Sequence, residues 1–164
     1  MTARVLAFDV GFRCGFGMMG DLTYPASGSR KLPGSMEDIV PALTAMRGLA
    51  IQLRKEFRPT HIAIALPFVN PKVRGDIPLC IGKFVGLIQL WSADSGLACL
   101  AVHESDARRA FLGQVPRYSA SIKKAVMAAC RQRGWPACDE HAADALCVAS
   151  HALSIIEPSS AHKA

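Results

Sequence analysis

The chain has 164 residues, 51% of them apolar, with a mean hydropathy of +0.22, a formal net charge of +6 and a pI near 9.2. That length allows one domain with a real core but not two ordinary domains, and the apolar content excludes intrinsic disorder. No apolar run reaches the about 18 residues of a membrane span, and the Met-Thr-Ala-Arg start has no signal-peptide layout, so we expect a cytoplasmic protein without a membrane partner.

The first apolar run, Val5 to Phe8, reads as a buried strand that ends on a carboxylate, Asp9. Such a carboxylate is costly unless partnered, and in a basic chain suited to nucleic acid a divalent metal is the expected partner. A second strand follows from about Phe16 to Met19, and Gly20-Asp21 reads as a hairpin turn into a third strand at roughly Leu22 to Tyr24. Pro25 to Gly34, rich in Ser, Gly and Pro and carrying Arg30 and Lys31, reads as a loop. Ile39, Leu43, Met46, Ala50, Leu53 and Phe57 recur at helical spacing and predict a helix over Asp38 to Phe57. Pro41 fits only its first turn, which favours Asp38 over Ser35 as the N-cap.

Arg58-Pro59 ends that helix, and HIAIAL, His61 to Leu66, has the unbroken apolar character of a central parallel strand. The loop PFVNPKVRGD comes next, then a helix from about Pro78 to Asp94 that is apolar nearly all round. Such a helix is buried on both sides or forms a subunit interface, and Gly82 and Gly86 would admit a neighbouring backbone closely. Leu97 to Val102 is a fifth strand ending at His103-Glu104. Ser105 reads as the cap of a short helix to Leu112, Ser119 or Ser121 as the cap of another to Gly134, and a last helix runs from near Asp139 to Ile156. The order implies an α/β domain over residues 1–156, a five-stranded mixed sheet with three antiparallel strands and then parallel ones, flanked by helices, followed by a polar tail over 157–164. The six cysteines form no C-x-x-C pair and read as reduced residues.

Between Ala107 and Cys138 the charged residues are Arg108, Arg109, Arg117, Lys123, Lys124, Arg131 and Arg133, with no intervening acid. A solvated helical face would account for them, but a phosphate-binding surface accounts better for so one-sided a stretch. Metal-assisted phosphodiester hydrolysis needs carboxylates gathered from several elements. Three places offer themselves: Asp9, the end of HIAIAL, and the start of the last helix, where DEHAADAL sets His141 and Asp144 on one face. Asp139 and Glu140 read as ordinary acids of a helix N-terminus. Asp144, among Ala142, Ala143, Ala145 and Leu146, should instead lie against the sheet.

Taken together, Asp9-x-Gly11 with Gly15-Phe16-Gly17, the Ala63-Ile64…Phe68 strand end and Ala142-Ala143-Asp144-Ala145-Leu146 resemble the RuvC-type Holliday junction resolvases, nucleases of the ribonuclease H-like class. The resemblance spans Val5 to about Leu153. It implies a Mg2+-dependent homodimer, with Mn2+ able to substitute, that makes paired nicks in four-way DNA junctions. It further implies metal-site roles for Asp9, Asp144 and His141, a position that is usually Asp in the family but His in some members, and a junction-inserting role for Phe68. Lys72, Arg74, Arg108, Arg109, Arg117, Lys123 and Lys124 would contact DNA, and the helix around residues 78–94 would form the dimer.

One departure stands out: the family's second catalytic carboxylate, a Glu, falls on Ala65. An inactivated variant, a natural binding-only relative, and substitution by Glu104 are the competing explanations, in that order. A related nuclease acting on structured RNA and a non-catalytic junction-binding protein are the alternative functions. A sugar-kinase-like ATPase is disfavoured because no second domain is there to close over nucleotide.

Overall fold

A computed structural model describes residues 2–66 and 76–158. Strand β1, Arg4–Asp9, pairs antiparallel with β2, Arg13–Gly20, and β2 pairs antiparallel with β3, Ala26–Lys31. On its other side β1 pairs parallel with β4, His61–Leu66, which pairs parallel with β5, Ala98–His103, so the five-stranded sheet runs β3-β2-β1-β4-β5. Helices α1, Val40–Phe57, and α2, Asp76–Asp94, cover one face. The helices α3, Glu104–Leu112, α4, Ser119–Gln132, and α5, Glu140–Ile156, cover the other. This is the expected α/β mixed sheet with helices on both faces.

Alternation along β1 explains the two cores. Leu6 and Phe8 point to α1 and α2, whereas Val5 and Ala7 point to α5. By the same alternation Asp9 falls on the α5 side, as do Ala63 and Ala65 of β4 and Val102 of β5. The α5 side is built from small residues. A Cβ on Gly17 would stand 2.6 Å from the Leu146 nitrogen and 2.7 Å from the Ala145 carbonyl carbon, and one on Gly15 would overlap the His141 carbonyl. Together with Ala142, Ala145, Ala149 and Ala152 on the helix, these glycines let α5 lie directly on the sheet.

The third strand falls in the stretch that the sequence presents as a loop, Ala26–Lys31, and not at Leu22 to Tyr24. Its residues have little apolar content, and it forms because its backbone pairs with β2 while the Ser27 and Ser29 hydroxyls bond the Pro136 carbonyl and Asp139. Strand β2 also begins earlier than expected, at Arg13. Three caps differ from the polar residues anticipated: Ile39, His103 and Tyr118 take the place of Asp38, Ser105 and Ser119 or Ser121, none with a side-chain cap bond. The His103 case follows from β5 running straight into α3, which leaves no linker for a serine cap.

Helix α2 is not buried on both sides. Cys80, Phe84, Ile88 and Trp91 face the core, while Leu79 and Leu90 are each 63% exposed and share their face with Gly82 and Gly86. All six cysteines are free. No described helix is long and apolar enough to cross a membrane.

Candidate metal and nucleic-acid site

Strands β1, β4 and β5 are mutually parallel, so their carboxyl ends share one edge of the sheet, where ligands of open α/β sheets bind. Asp9 ends β1, Ala65 is the penultimate residue of β4, and Glu104 follows β5 directly. Helix α5 starts over this edge. Asp139 caps it, its carboxylate accepting from the Ala142 amide at 2.9 Å and from the Ser29 hydroxyl, with Arg13 at 3.5 Å. Asp139 is thus the helix-terminal acid expected, and Glu140 pairs outward with Lys123 at 2.7 Å.

The next turn carries the two residues singled out from the sequence. His141 Nδ1 lies 2.8 Å from Asp9 Oδ2, and that hydrogen bond, opposed by partial burial, lifts the imidazole pKa above its usual 6.5. Asp144 is only 7% exposed, as its small neighbours suggest, and Arg108 Nη2 bonds its Oδ2 at 3.0 Å. Burial pushes the Asp144 carboxyl above its usual range, Arg108 opposes, and the Asp9 charge adds to the rise. The other oxygen, Oδ1, is buried without a hydrogen-bond partner among the described residues, an arrangement that costs about 1–3 kcal/mol.

Beside Asp144 stand Glu104, the alternative carboxylate named from the sequence, and Arg108, expected from the sequence to contact DNA. Arg108 Nη1 also bridges to Glu104 Oε2 at 2.9 Å, so one guanidinium spans two carboxylates. Burial raises the Glu104 pKa; Arg108 opposes this, while Asp9 and Asp144 raise it further. The sequence signal for this pair was the Glu104–Arg108 spacing of one helical turn. Arg108 is therefore turned inward, with its side chain 19% exposed.

Of the other basic residues, Arg109, Arg117 and Lys124 are exposed. Lys124 and Arg131 line an open depression with Asp139 and Glu140 beside the start of α5. Phe68, Lys72 and Arg74 lie outside the described residues.

Protonated His141 is favoured by folding, because its partner Asp9 is beside it only in the native state. The pair therefore contributes its full stability below pH about 6.5 and loses it as pH rises through the higher folded-state value. In chelator, the melting temperature of the wild type minus that of His141→Gln should be largest near pH 5.5 and shrink toward pH 9; a difference independent of pH would contradict the pairing.

These donors suit a hard divalent cation: carboxylate oxygens, an imidazole and an orphaned buried oxygen on Asp144. Among the described residues, however, no three such side chains converge closely enough to hold an ion.

Comparison with solved structures identifies the fold. The chain is similar to Thermus thermophilus RuvC in complex with a Holliday junction substrate, with TM-score 0.73 and 17% identity over 95% of this chain and 96% of that one. Thermus thermophilus RuvC in a second structure matches with TM-score 0.70 and 18% identity over 96% and 97%. The yeast mitochondrial Holliday junction resolvase matches with TM-score 0.57 and 12% identity over 92% and 78%. No family model and no curated protein sequence matches.

Proposed function

We propose that this chain, which has the RuvC fold over nearly its whole length, is a structure-specific endonuclease that binds four-way DNA junctions and nicks them with a divalent metal, Mg2+ or Mn2+. The observation that supports the reading is the contact of His141 with Asp9 at the carboxyl edge of the parallel strands, with the buried Asp144 one turn further along the same helix. Asp9 and Asp144 would hold the ion, with His141 as a further ligand or proton carrier. When bound, the ion supplies Lewis-acid activation of the phosphoryl group and of water. Asp9 fixes the His141 ring through Nδ1, which leaves Nε2 for ligation or for moving a proton. The exposed Arg109, Arg117 and Lys124, with Arg131, would hold phosphates of the junction arms without reading sequence, and Lys123 would join them on release from Glu140. Phe68 is proposed as a DNA contact from the motif, and Lys72 and Arg74 as basic residues of the loop that follows it.

The exposed stripe of α2, with Leu79, Gly82, Gly86 and Leu90, would form a two-fold dimer contact that sets two sites for paired nicks. One observation favours a second reading, a non-catalytic junction binder: Ala65 brings no carboxylate to the β4 end while Arg108 is paired with Asp144.

Cleavage and binding of a four-way DNA junction, a linear duplex and a structured RNA, each with Mg2+ and with chelator, test these readings. Selective junction nicking in Mg2+, enhanced by Ala65→Glu, is expected, together with a dimer by light scattering at micromolar concentration. Equal binding of duplex and junction would overturn the proposal, and junction binding without nicking by either form would select the binding-only reading. Preferential RNA cleavage would reassign the substrate.

A further inference from the structure

We infer that the basic end of the β2–β3 hairpin, Arg13 opposite Lys31, extends the DNA-binding surface past the start of α5 and holds backbone phosphates of a junction arm. The inference rests on the junction-binding reading above and assigns part of the partner's backbone to residues outside every motif described so far.

Register fixes the pair. Arg13 and Lys31 are directly opposed at the end of the antiparallel ladder, and just beyond them the Leu32 amide donates to the Phe12 carbonyl at 2.7 Å, so they stand on paired backbone. Both belong to the α5 face. Gly15 and Gly17, in step with Arg13, lie under α5, while Ser27 and Ser29, in step with Lys31, bond the Pro136 carbonyl and Asp139. Gly15 pairs with Asp9 and lies beneath His141, which puts Arg13 two residues, about 7 Å of strand, from the candidate site.

Two positive side chains directly opposite on one face destabilise a ladder, and little in the fold offsets them. Lys31 is exposed with no ion-pair partner among the described residues; Arg13, its side chain 50% exposed, reaches only Asp139, at 3.5 Å. Asp139 is itself committed to the Ser29 hydroxyl and the Ala142 amide. From Val10 to Met36 the sole acid is Asp21, which follows Gly20 at the opposite end of the hairpin. Arg30, next along β3, adds a third exposed positive charge. Charge that merely guards a sheet edge could lie anywhere along β3; here it gathers at the end beside Asp9. Asp139 also links this end to α4, because the depression it lines is bordered by Lys124 and Arg131. Charges spread along an exposed strand, and not gathered in a pocket, suit the repeated phosphates of a nucleic-acid backbone.

Affinity for a labelled four-way DNA junction, measured in chelator over a salt series, tests the assignment independently of metal. Lys31→Gln is expected to reduce the slope of log affinity against log salt by about 1, and Arg13→Gln with Lys31→Gln by about 2, because each lost phosphate contact releases one counter-ion fewer. At about 0.1 M salt the double variant should bind about tenfold more weakly. Lys31→Arg keeps the charge and should keep the slope. Lys55→Gln, in the exposed last turn of α1, removes an equal charge elsewhere and should leave the slope unchanged. The melting temperature of Lys31→Gln should not fall, since a like-charge apposition is relieved. An unchanged slope in Lys31→Gln and in the double variant, with wild-type junction binding intact, would overturn the hairpin surface and leave the junction-binding reading standing. An equal change in Lys55→Gln would overturn it by reducing the effect to net charge. A slope change with a structured RNA but not with the junction would overturn DNA as the partner, and wild type that binds no junction at any salt would overturn both readings.

Discussion

Gly17→Ala should destabilise the protein by about 3 kcal/mol, the upper part of the usual range for overpacking, equivalent to roughly 6–12 °C in melting temperature for a chain of this size. The added methyl would meet the Leu146 nitrogen at 2.6 Å and the Ala145 carbonyl carbon at 2.7 Å, and backbone in a buried helix cannot swing aside as a side-chain tip can. Gly48→Ala is the matched control. That glycine lies on the exposed face of α1 with nothing within 4 Å of the new Cβ, so the substitution should stabilise by about 0.5–1 kcal/mol. Thermal melts of the two variants with opposite signs would establish that contact with α5, not glycine chemistry, sets the effect. Equal shifts would refute it. Gly15→Ala should act on the site as well, because its methyl would displace the backbone of His141.

Asp9→Asn should lower junction nicking by about a thousandfold while leaving junction affinity unchanged or tighter. Metal-assisted activation is worth several kcal/mol, and each 1.4 kcal/mol is about tenfold in rate. Loss of one negative charge near incoming phosphates cannot weaken binding electrostatically. The same substitution replaces the charged acceptor whose hydrogen bond chiefly raises the His141 pKa with a neutral amide, so the imidazole should titrate at a lower pH by NMR. Parallel loss of nicking and binding would place Asp9 in the scaffold instead of the chemistry.

Much of this arrangement was legible in the residues themselves. β1 and β4 announce themselves as short unbroken apolar runs, and α1 by its spacing. His141 and Asp144 declare a shared helix face, and the alanines around Asp144 foretell its burial. Strand β3 was illegible because Ala-Ser-Gly-Ser-Arg-Lys carries no alternating apolar signal; its formation depends on backbone groups of β2 and on hydroxyl partners more than 100 residues away. The inward turn of Arg108 was hidden for a similar reason. One of its partners, Glu104, is a turn away, but the other, Asp144, comes from a different helix that only the tertiary fold brings near.

The seating of α5 on the glycines of β2 also governs when the site comes into being. His141 and Asp9 are 132 positions apart along the chain, and closing so long a loop first would cost about 4 kcal/mol of chain entropy before the contact returned anything. Earlier pairing of the strands shortens the effective loop, so by chain entropy a route that docks α5 late onto a preassembled sheet is the less costly one. Carboxylates that repel one another are thus gathered only once most of the core exists to hold them. A collapsed intermediate lacking α5 would expose the Gly- and Ala-lined face of the sheet and contain Asp9 without its histidine.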